Sequence, residues 1–370
     1  MIAAGERAFF DRCLELADRA GRLTAPNPRV GAVVVRDGEI VGEGWHRRAG
    51  EAHAEAVALD AAGEAARGAT LFCSLEPCAH HGRTPPCTDR IIAAGVRRVV
   101  CGLVDPDPRV RGAGLEALAA AGIEVDLVEG DDAQRAERVI EDYLVHRREG
   151  RAFAVLKVAA TLDGRIADRE RRSRWITGAA ARAHGRRLRE RYGAIVVGTG
   201  TVLADDPLLL PPSGAGEPGS PFLRCVLDAA LRTPSTARLL AEKVAGSPVI
   251  VFTAPGADVQ RRRLLERAGA EIVSLGPPGG PIPPADVLRE LGRRGVLGAI
   301  VEGGGRTHGR FVAAGAFDKI LWYAHPSILG DPEAVASVRI GRVPLERATR
   351  LTIAGLERLE DDLLLTLYPA

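Results

Sequence analysis

Hydrophobic and polar positions in the first 145 residues follow two alternating patterns. Residues 29–46 place two β-branched runs on either side of Arg36-Asp37-Gly38-Glu39, which predicts a hairpin of two strands. Helical and strand-like runs then alternate along AHAEAVALDAAGE, GATLFCSL, TDRIIAAG, VRRVVCGLV, GAGLEALAAAG and IEVDLVEG. Strands separated by helices of this length predict a layered α/β domain whose sheet is mainly parallel after the first hairpin.

A polar helix is predicted over residues 131–150, and its charged end at residues 147–151 is the expected domain boundary. The α/β pattern then resumes, so we expect two domains, 1–147 and 148–370. Strand candidates in the second domain are AFAVLKVAAT, GAIVVGTGTVL, LRCVLDA, PVIVFTA, GAEIVSL, LGAIVEGG and KILWYAHPS. The Pro/Gly-rich stretches 211–221 and 276–284 predict loops. No internal repeat relates the two halves, which favours two different chemistries.

Composition and charge exclude several classes of protein. Hydrophobic residues make up 46% and charged residues 26% of the 370, which is typical of globular domains and not of disordered chains. The 50 basic and 48 acidic residues leave a net charge of +2, so no general nucleic-acid-binding surface is expected. No apolar run reaches the ~18 residues of a membrane span, and the N-terminus predicts an amphipathic helix instead of a secretory signal. We expect a cytoplasmic protein with neither a nucleic-acid nor a membrane partner.

The strongest chemical signal is a set of metal-binding residue types in the first half. His53-Ala54-Glu55 begins a predicted helix, Glu76-Pro77-Cys78 follows a strand, and Cys87 comes nine residues later. One imidazole and two thiolates leave the fourth position of a tetrahedral zinc ion to water, which is typical of a catalytic site. The Glu55 carboxylate is placed to carry protons between that water and a substrate. The alternative is that His53 packs at a helix start and the cysteines are ordinary small residues.

This order of residues matches the zinc-dependent nucleobase deaminases, in which only two residues separate the cysteines; here eight intervene. Residues 24–35, 42–55, 74–87 and 102–114 closely resemble the deaminase domain of the bifunctional riboflavin-biosynthesis deaminase/reductases, and the longer spacing is that family's own form. The resemblance implies a cytidine-deaminase-like α/β/α layered domain and deamination of 2,5-diamino-6-ribosylamino-4-pyrimidinone 5'-phosphate. It also implies one Zn²⁺ per chain on His53, Cys78 and Cys87, with Glu55 as the catalytic proton donor and acceptor.

Four further residues of the first half are candidate substrate contacts. Asn27 lies in a Pro-Asn-Pro turn from which its amide could meet the pyrimidine edge. His46, His80 and Arg83 offer hydrogen-bond donors to the ribose phosphate. Each also has a purely structural explanation, as a turn former, a polar loop residue or a solvated charge.

The second half has no G-x-G-x-x-G after a strand, so its sequence gives no support for a Rossmann dinucleotide site. Residues 193–207 and 299–315 instead run from apolar strands into glycines and then into helical patterns. Backbone N–H groups at such helix starts can receive a phosphate, although turns of this kind are also common without a ligand.

Five segments of the second half resemble the reductase domain of the same family, namely 156–167, 173–178, 188–207, 301–311 and 317–330. The resemblance implies a dihydrofolate-reductase-like α/β domain that uses NADPH to reduce the ribosyl side chain, giving 5-amino-6-ribitylaminouracil 5'-phosphate. It implies cofactor contacts at Ala160, Trp175, Thr177, Thr201, Asp205, Gly304, Gly305, Arg306, Thr307, His308, Gly309 and Arg310. It implies substrate contacts at Ser173, Arg189, Leu208 and Glu302.

Lys157 and Asp205 are the titratable groups expected to transfer a proton during reduction. Lys157 is one of only three lysines, since 47 of the 50 basic residues are arginine. The alternatives are a strand residue whose amine extends to solvent and a turn residue before proline.

Two departures from the family pattern concern phosphate and cofactor binding. The family continues Ala-Asp-Asp-Pro with Leu-Thr-x-Arg, whose arginine holds the substrate phosphate, but here residues 208–212 read LLLPP. The family's Asp-Ser after a middle strand is Asp228-Ala229. Losing one charge-assisted contact weakens binding by ~1.5–3 kcal/mol, which Arg224 or another arginine could offset.

Two other functions stay open on the sequence. One is a deaminase whose second half has lost reduction and serves as a scaffold. The other is a zinc-stabilised nucleic-acid-binding protein, suggested by residues 261–263 (RRR) and opposed by the small net charge and by Glu55. For an enzyme, the expected partner is a small pyrimidine ribotide, and we expect a homo-oligomer, either a dimer or a tetramer.

Overall fold

The chain folds into two compact units, Met1–Gly150 and Arg151–Ala370. The computed structural model describes residues 5–80, 85–214 and 220–370. Helices and strands alternate in both units, so the predicted α/β class is confirmed.

The first unit is built on one sheet. Its described strands are β1 (Gly31–Arg36), β2 (Glu39–Trp45), β3 (Thr70–Cys73), β4 (Arg98–Cys101) and β5 (Glu124–Leu127). Its described helices are α1 (Arg7–Asp18), α2 (Ala54–Ala62), α3 (Cys87–Ala93), α4 (Ala113–Ala120), α5 (Gly130–Val139) and α6 (Glu141–Glu149). The strand order is β2-β1-β3-β4-β5. As predicted, β1 and β2 form an antiparallel hairpin, while β3, β4 and β5 are parallel.

Apolar side chains bury both faces of this sheet, because successive residues of a strand point to opposite sides. Ala32 and Val34 of β1 pack with apolar residues of α2, α3 and α4 on one face. Val33 and Val35 pack with apolar residues of α1 and α5 on the other. The unit therefore has the α/β/α layering that was expected.

The prediction of a single polar helix over residues 131–150 is wrong. The structure has two helices, α5 and α6, which meet at Ile140 with φ −118° and ψ 22°. The guanidinium of Arg29 donates to the carbonyl of Val139 and forms an ion pair with Asp142 at 2.7 Å. Since both partners of this ion pair are buried, a tertiary contact interrupts the helix where the sequence shows no proline or glycine.

The second unit is built on a larger sheet. Its described strands are β6 (Phe153–Thr161), β7 (Arg165–Ala167), β8 (Ala194–Gly198), β9 (Leu223–Leu227), β10 (Val249–Thr253), β11 (Ala270–Ser274), β12 (Gly298–Val301), β13 (Lys319–His325), β14 (Val335–Ala336), β15 (Leu351–Leu359) and β16 (Asp362–Pro369). Its described helices are α7 (Ala179–Arg191), α8 (Thr199–Asp205), α9 (Arg238–Ala241), α10 (Val259–Arg267), α11 (Pro284–Arg293) and α12 (Gly305–Ala313). Within the described residues, nine strands pair in the order β11-β10-β9-β8-β12-β6-β13-β16-β15, and β14 pairs with β7.

Strands β11 to β13 in this order are parallel, and the C-terminal hairpin of β16 and β15 extends the sheet in the antiparallel sense. This hairpin was not predicted, since the last strand expected from the sequence ends at Ser327. Helices cover both faces of the parallel part: Leu288 and Phe311 belong to one apolar core, and Leu239 and Leu265 to the other. No helix in the described part of the chain is long and apolar enough to cross a membrane.

Candidate active sites

The first candidate site lies at the start of α2. His53 occupies the position just before this helix, and Glu55 is in its first turn. Strand β2 approaches α2 so closely that a Cβ on Gly44 would lie 2.4 Å from the carbonyl oxygen of Ala54. Only glycine allows this approach, so the packing of β2 on α2 fixes where His53 and Glu55 project.

Two cysteines come to His53 from other elements. Cys78 follows β3, and Cys87 is the first residue of α3. The Nδ1 atom of His53 lies 3.5 Å from the sulfur of Cys78 and 3.3 Å from that of Cys87. All three candidate ligand atoms are within 4.8 Å of one another. Ligand bonds of 2.0–2.3 Å at tetrahedral angles place nitrogen and sulfur about 3.6 Å apart, so these residues fit a zinc ion.

The charge of this cluster also fits a cation. The contacts of Cys78 with Cys87 and with His53 lower the pKa of the Cys78 thiol to about 4. The contact with Cys78, together with burial, raises the pKa of Cys87. The pair therefore holds one negative charge at neutral pH, and a divalent cation would favour loss of the second proton.

Glu55 is buried beside this cluster, with 3% of its surface exposed. Burial raises the pKa of its carboxyl to about 6, against the opposing effect of His53. A carboxyl with a pKa close to neutrality can both accept and donate a proton. The structure thus places a candidate proton carrier next to the candidate metal ligands.

Two of the candidate substrate contacts in this unit meet each other. Asn27 Nδ2 donates to His46 Nε2 at 3.2 Å, and His46 Nδ1 donates to the Ala52 carbonyl at 3.1 Å. The His46 ring packs edge-on against His53 with centroids 5.3 Å apart. Burial lowers the pKa of His46, so this ring is neutral at pH 7.

The other two candidate contacts in this unit are less well defined. His80 Nδ1 is buried and has no hydrogen-bond partner among the described residues. Arg83 lies outside the described residues.

The second candidate site is a cleft of about 830 Å³ in the second unit. It lies where β8, β9 and β12 end and where α8 and α12 begin, and carboxyl ends of parallel strands are the usual place for ligands in such sheets. The predicted residues that line the cleft are Lys157, Ser173, Trp175, Thr177, Thr201, Asp205, Glu302, Gly304, Gly305, Arg306, Thr307, His308 and Arg310.

Four predicted contacts do not line the cleft. Ala160 is buried within β6, and a Cβ on Gly309 would lie 2.1 Å from the carbonyl oxygen of Arg339. Arg189 does not line the cleft itself but forms an ion pair with Glu302, which does. Leu208 accepts a hydrogen bond from Arg224 through its carbonyl.

The start of α12 suits a phosphate. Gly303, Gly304 and Gly305 line the cleft, and Gly304 immediately precedes the helix. A Cβ on Gly305 would lie 2.1 Å from the carbonyl oxygen of Ala336, so the backbone here packs too tightly for any other residue. Backbone N–H groups at the positive end of a helix favour an anion.

Six arginines line this cleft: Arg171, Arg182, Arg232, Arg306, Arg310 and Arg339. Within residues 5–80, 85–214 and 220–370, none of the six forms an ion pair. Only Arg306 and Arg310 were predicted from the sequence, because nothing local distinguishes the other four from the remaining arginines. Their convergence gives the cleft the positive charge that a phosphorylated ligand requires.

Arg224 does not take the place of the missing phosphate-binding arginine. Its side chain is buried, with 2% exposed, and donates to the carbonyl of Ser247 at 2.7 and 2.9 Å. The guanidinium is therefore committed to backbone carbonyls and does not line the cleft. Ala229, in contrast, does line the cleft at the position where the family has serine.

Glu302 forms a charged group with two basic residues. Arg189 Nη2 lies 3.1 Å from Glu302 Oε2, and Lys157 lines the same cleft as Glu302. Burial alone would raise the pKa of Glu302, but the positive charges of Arg189 and Lys157 outweigh it and hold the pKa below its usual value. Glu302 is therefore ionised at neutral pH and faces the cleft as an acceptor.

Comparisons with known proteins assign a family to each unit. The family "Cytidine and deoxycytidylate deaminase zinc-binding region" matches residues 4–103, and the family "RibD C-terminal domain" matches residues 152–365. The riboflavin biosynthesis protein RibD of Bacillus amyloliquefaciens is 38% identical over 98% of this chain and 96% of its own length. That of Escherichia coli K12 is 37% identical over 95% and 92%.

Solved structures give the same result. RibD of Acinetobacter baumannii superimposes with a TM-score of 0.82 at 33% identity, covering 99% of both chains. A diaminohydroxyphosphoribosylaminopyrimidine deaminase/5-amino-6-(5-phosphoribosylamino)uracil reductase of Thermotoga maritima superimposes with a TM-score of 0.83 at 32% identity, again over 99% of both. The class is thus a cytidine-deaminase-like domain followed by a dihydrofolate-reductase-like domain, as expected. The chain belongs to the RibD family of bifunctional deaminase/reductases of riboflavin biosynthesis.

Proposed function

We propose that residues 1–147 catalyse zinc-dependent hydrolytic deamination of 2,5-diamino-6-ribosylamino-4-pyrimidinone 5'-phosphate. The observation that carries this proposal is the convergence of His53, Cys78 and Cys87 beside the buried Glu55. Three protein ligands leave one tetrahedral position for water. Membership of the RibD family supports the choice of substrate.

In the first reaction, bound zinc supplies a Lewis acid that makes water nucleophilic at neutral pH. Glu55 accepts a proton as the water oxygen bonds to the ring carbon that carries the 2-amino group, and delivers it to the neighbouring ring nitrogen. The same carboxyl then moves the second proton to the departing amine, so the ring gains oxygen and ammonia leaves. Asn27 orients the pyrimidine, while His80 and Arg83 contact the ribose phosphate. His46 was expected to donate to that phosphate, but Asn27 and the Ala52 carbonyl engage both of its ring nitrogens, so it acts by holding the Asn27 amide.

We propose that residues 148–370 reduce the deaminated product with NADPH. The backbone N–H groups at the start of α12 and the arginines that line the cleft would hold the cofactor phosphates. Ala160, which lies within β6, and Gly309, which packs α12 against the backbone of Arg339, shape the cofactor site from behind. Arg182, which lines the cleft with Ser173 and Trp175, holds the substrate phosphate in place of the arginine missing after Pro207. Arg189 orients Glu302 towards the substrate, and Leu208 borders it.

When bound, NADPH would supply the hydride that C1' of the ribosyl group gains in the second reaction. Lys157 donates a proton to O4' as the C1'–O4' bond opens, so the sugar becomes a ribityl chain. Lys157 and Asp205 both line the cleft, but Asp205 forms an ion pair with Arg174 at 3.6 Å, whereas Lys157 lies near Glu302, so we assign the role to Lys157.

The test is to incubate the purified zinc-loaded protein with the diaminopyrimidine ribotide and to identify the products by mass. Without NADPH, we expect the deaminated ribosyl compound and ammonia; with NADPH, we expect the ribityl compound. A chelator should abolish the first step and leave reduction of added deaminated ribotide intact. A deaminated product that resists NADPH would show that the second unit is not a working reductase.

We further propose a cytoplasmic homo-oligomer. Strand β15 is at an edge of the large sheet and exposes Ile353 and Leu356, with 65% and 63% of their surfaces accessible. An exposed apolar edge strand favours pairing with another chain. Light scattering coupled to size-exclusion chromatography measures the mass: a dimer or tetramer is expected, and a monomer at all concentrations would contradict it.

A further inference from the structure

Glu76 is a buried carboxylate that the proposed chemistry does not use. Only 4% of its surface is exposed. Its carboxylate accepts hydrogen bonds from three backbone N–H groups, those of Asp105 at 3.0 Å, Gly112 at 2.9 Å and Gly114 at 2.8 Å. In the described part of the chain, no basic side chain forms an ion pair with it. An isolated buried charge is costly, so these three N–H groups, two of which lie at the start of α4, are what stabilise it.

Asp105 and Gly112 belong to the connection between β4 and α4, and Gly114 is the second residue of α4, so the segment 105–114 runs from this connection into the helix. This segment also contacts the residue after Glu76: a Cβ on Gly114 would lie 1.9 Å from the carbonyl oxygen of Pro77. The backbone N–H of Glu76 donates to the carbonyl of Leu103 at 2.9 Å. Residues 76 and 77 are therefore attached to the β4–α4 connection through both side chain and backbone.

Cys78 comes directly after Pro77, and its backbone is held by hydrogen bonds from α3. Its carbonyl accepts hydrogen bonds from the backbone N–H of Thr88 at 3.2 Å and from the Thr88 hydroxyl at 3.4 Å. Only Pro77, whose ring restricts φ, separates Cys78 from Glu76. The backbone of Cys78 thus lies between an anchor on α3 and the anchor made by Glu76.

We propose that Glu76 is a positioning residue that holds the sulfur of Cys78 at the distance from His53 and Cys87 that a zinc ion requires. This inference rests on the proposed role of Cys78 as a metal ligand. Without the Glu76 anchor, residues 76–78 would keep only their backbone contacts, and Cys78 would sample positions too far from the other two ligands. Groups that orient metal ligands commonly change metal affinity by about 10–100-fold when they are removed.

Two variants test this by different physical routes. Glu76→Gln keeps the size of the side chain but replaces one acceptor oxygen with an amide donor that faces backbone N–H groups. Gly114→Ala keeps the Glu76 side chain and instead disturbs its surroundings, because the new methyl group would lie 1.9 Å from the Pro77 carbonyl oxygen and 3.1 Å from Glu76 Oε1. Val99→Ala is the matched control, because Val99 is a fully buried apolar residue of β4 whose truncation lowers stability without touching either anchor.

The measurements are the zinc dissociation constant, by competition with a chromophoric chelator, and the absorption spectrum of the Co²⁺-substituted full-length protein. We expect both test variants to lose about tenfold or more in zinc affinity and to show weaker, shifted thiolate-to-cobalt bands. Val99→Ala should lower the melting temperature and leave both readouts unchanged. Folded Glu76→Gln and Gly114→Ala proteins that bind zinc like the wild type, with its cobalt spectrum, would overturn the positioning role.

Cys78→Ser separates this inference from the proposed function. A wild-type protein whose cobalt spectrum does not change on Cys78→Ser would refute the metal site itself. A wild-type site that depends on Cys78 but not on Glu76 would refute only the positioning role.

Discussion

The Arg189 guanidinium lies 3.1 Å from the Glu302 carboxylate, although 113 residues separate the two in the chain. Arg189 also donates to the carbonyl of Leu210 at 2.9 Å. The side chains of Arg189 and Glu302 are only 14% and 18% exposed, so little water can take the place of one partner when it is removed. This pair joins the end of α7 to the residue after β12 and presents Glu302 to the cleft.

We predict that Glu302→Gln lowers the free energy of unfolding by roughly 1–3 kcal/mol, because Arg189 loses its anionic partner in a largely buried position. The same change should raise KM for the deaminated ribotide, since Glu302 lines the cleft. Thermal unfolding and steady-state NADPH oxidation measure the two effects. Glu346→Gln, an exposed carboxylate of the same unit, is the control and should alter neither.

The pH dependence of this stability follows from the depressed pKa of Glu302. Because the folded-state pKa lies below the unfolded value of about 4.3, the stabilising effect is fully present above that pH and is lost as the pH falls through the folded-state pKa. The difference in melting temperature between wild type and Glu302→Gln should therefore be constant from neutral pH down to about pH 5 and shrink below it. A difference that grows on acidification would have the wrong sign.

Glu55→Gln should keep zinc but lose deamination. The amide has nearly the same shape as the carboxyl, whereas it cannot accept and return a proton, so kcat should fall by about 10²–10⁴. Metal analysis and an ammonia assay measure the two properties. Glu51→Gln, at an exposed position close in sequence, should behave like the wild type. Appreciable ammonia release by Glu55→Gln would defeat the assigned role.

Lys157→Ala should reduce the rate of NADPH oxidation with deaminated ribotide by about 10²-fold or more, since the proposed proton donor is lost. NADPH affinity should change little, because the fall belongs to kcat. Lys319→Ala removes a lysine of β13 that contacts Tyr368 and serves as the control. If Lys157→Ala oxidises NADPH at the wild-type rate, Lys157 is not the acid.

Most strands and helices could be predicted, because burial of one side of an element produces a period along the chain that is visible locally. The β1–β2 hairpin and the parallel strands of both units follow this pattern. The end of α5 at Ile140 and the β15–β16 hairpin do not. In the first case a buried ion pair from a distant residue decides the backbone, and in the second a half-exposed edge strand lacks a clear apolar stripe.

The sequence by itself determined which residues are candidates for the chemistry, because zinc binding and proton transfer require particular residue types and His53, Glu55, Cys78 and Cys87 occur in a recognisable order. Only the tertiary structure decided which of 47 arginines line the second cleft and which, like Arg224, are committed to backbone carbonyls. Only it showed the anchor that Glu76 makes with the segment before α4. The physical reason is that these roles depend on contacts between residues distant in the chain, whose partners no local pattern specifies.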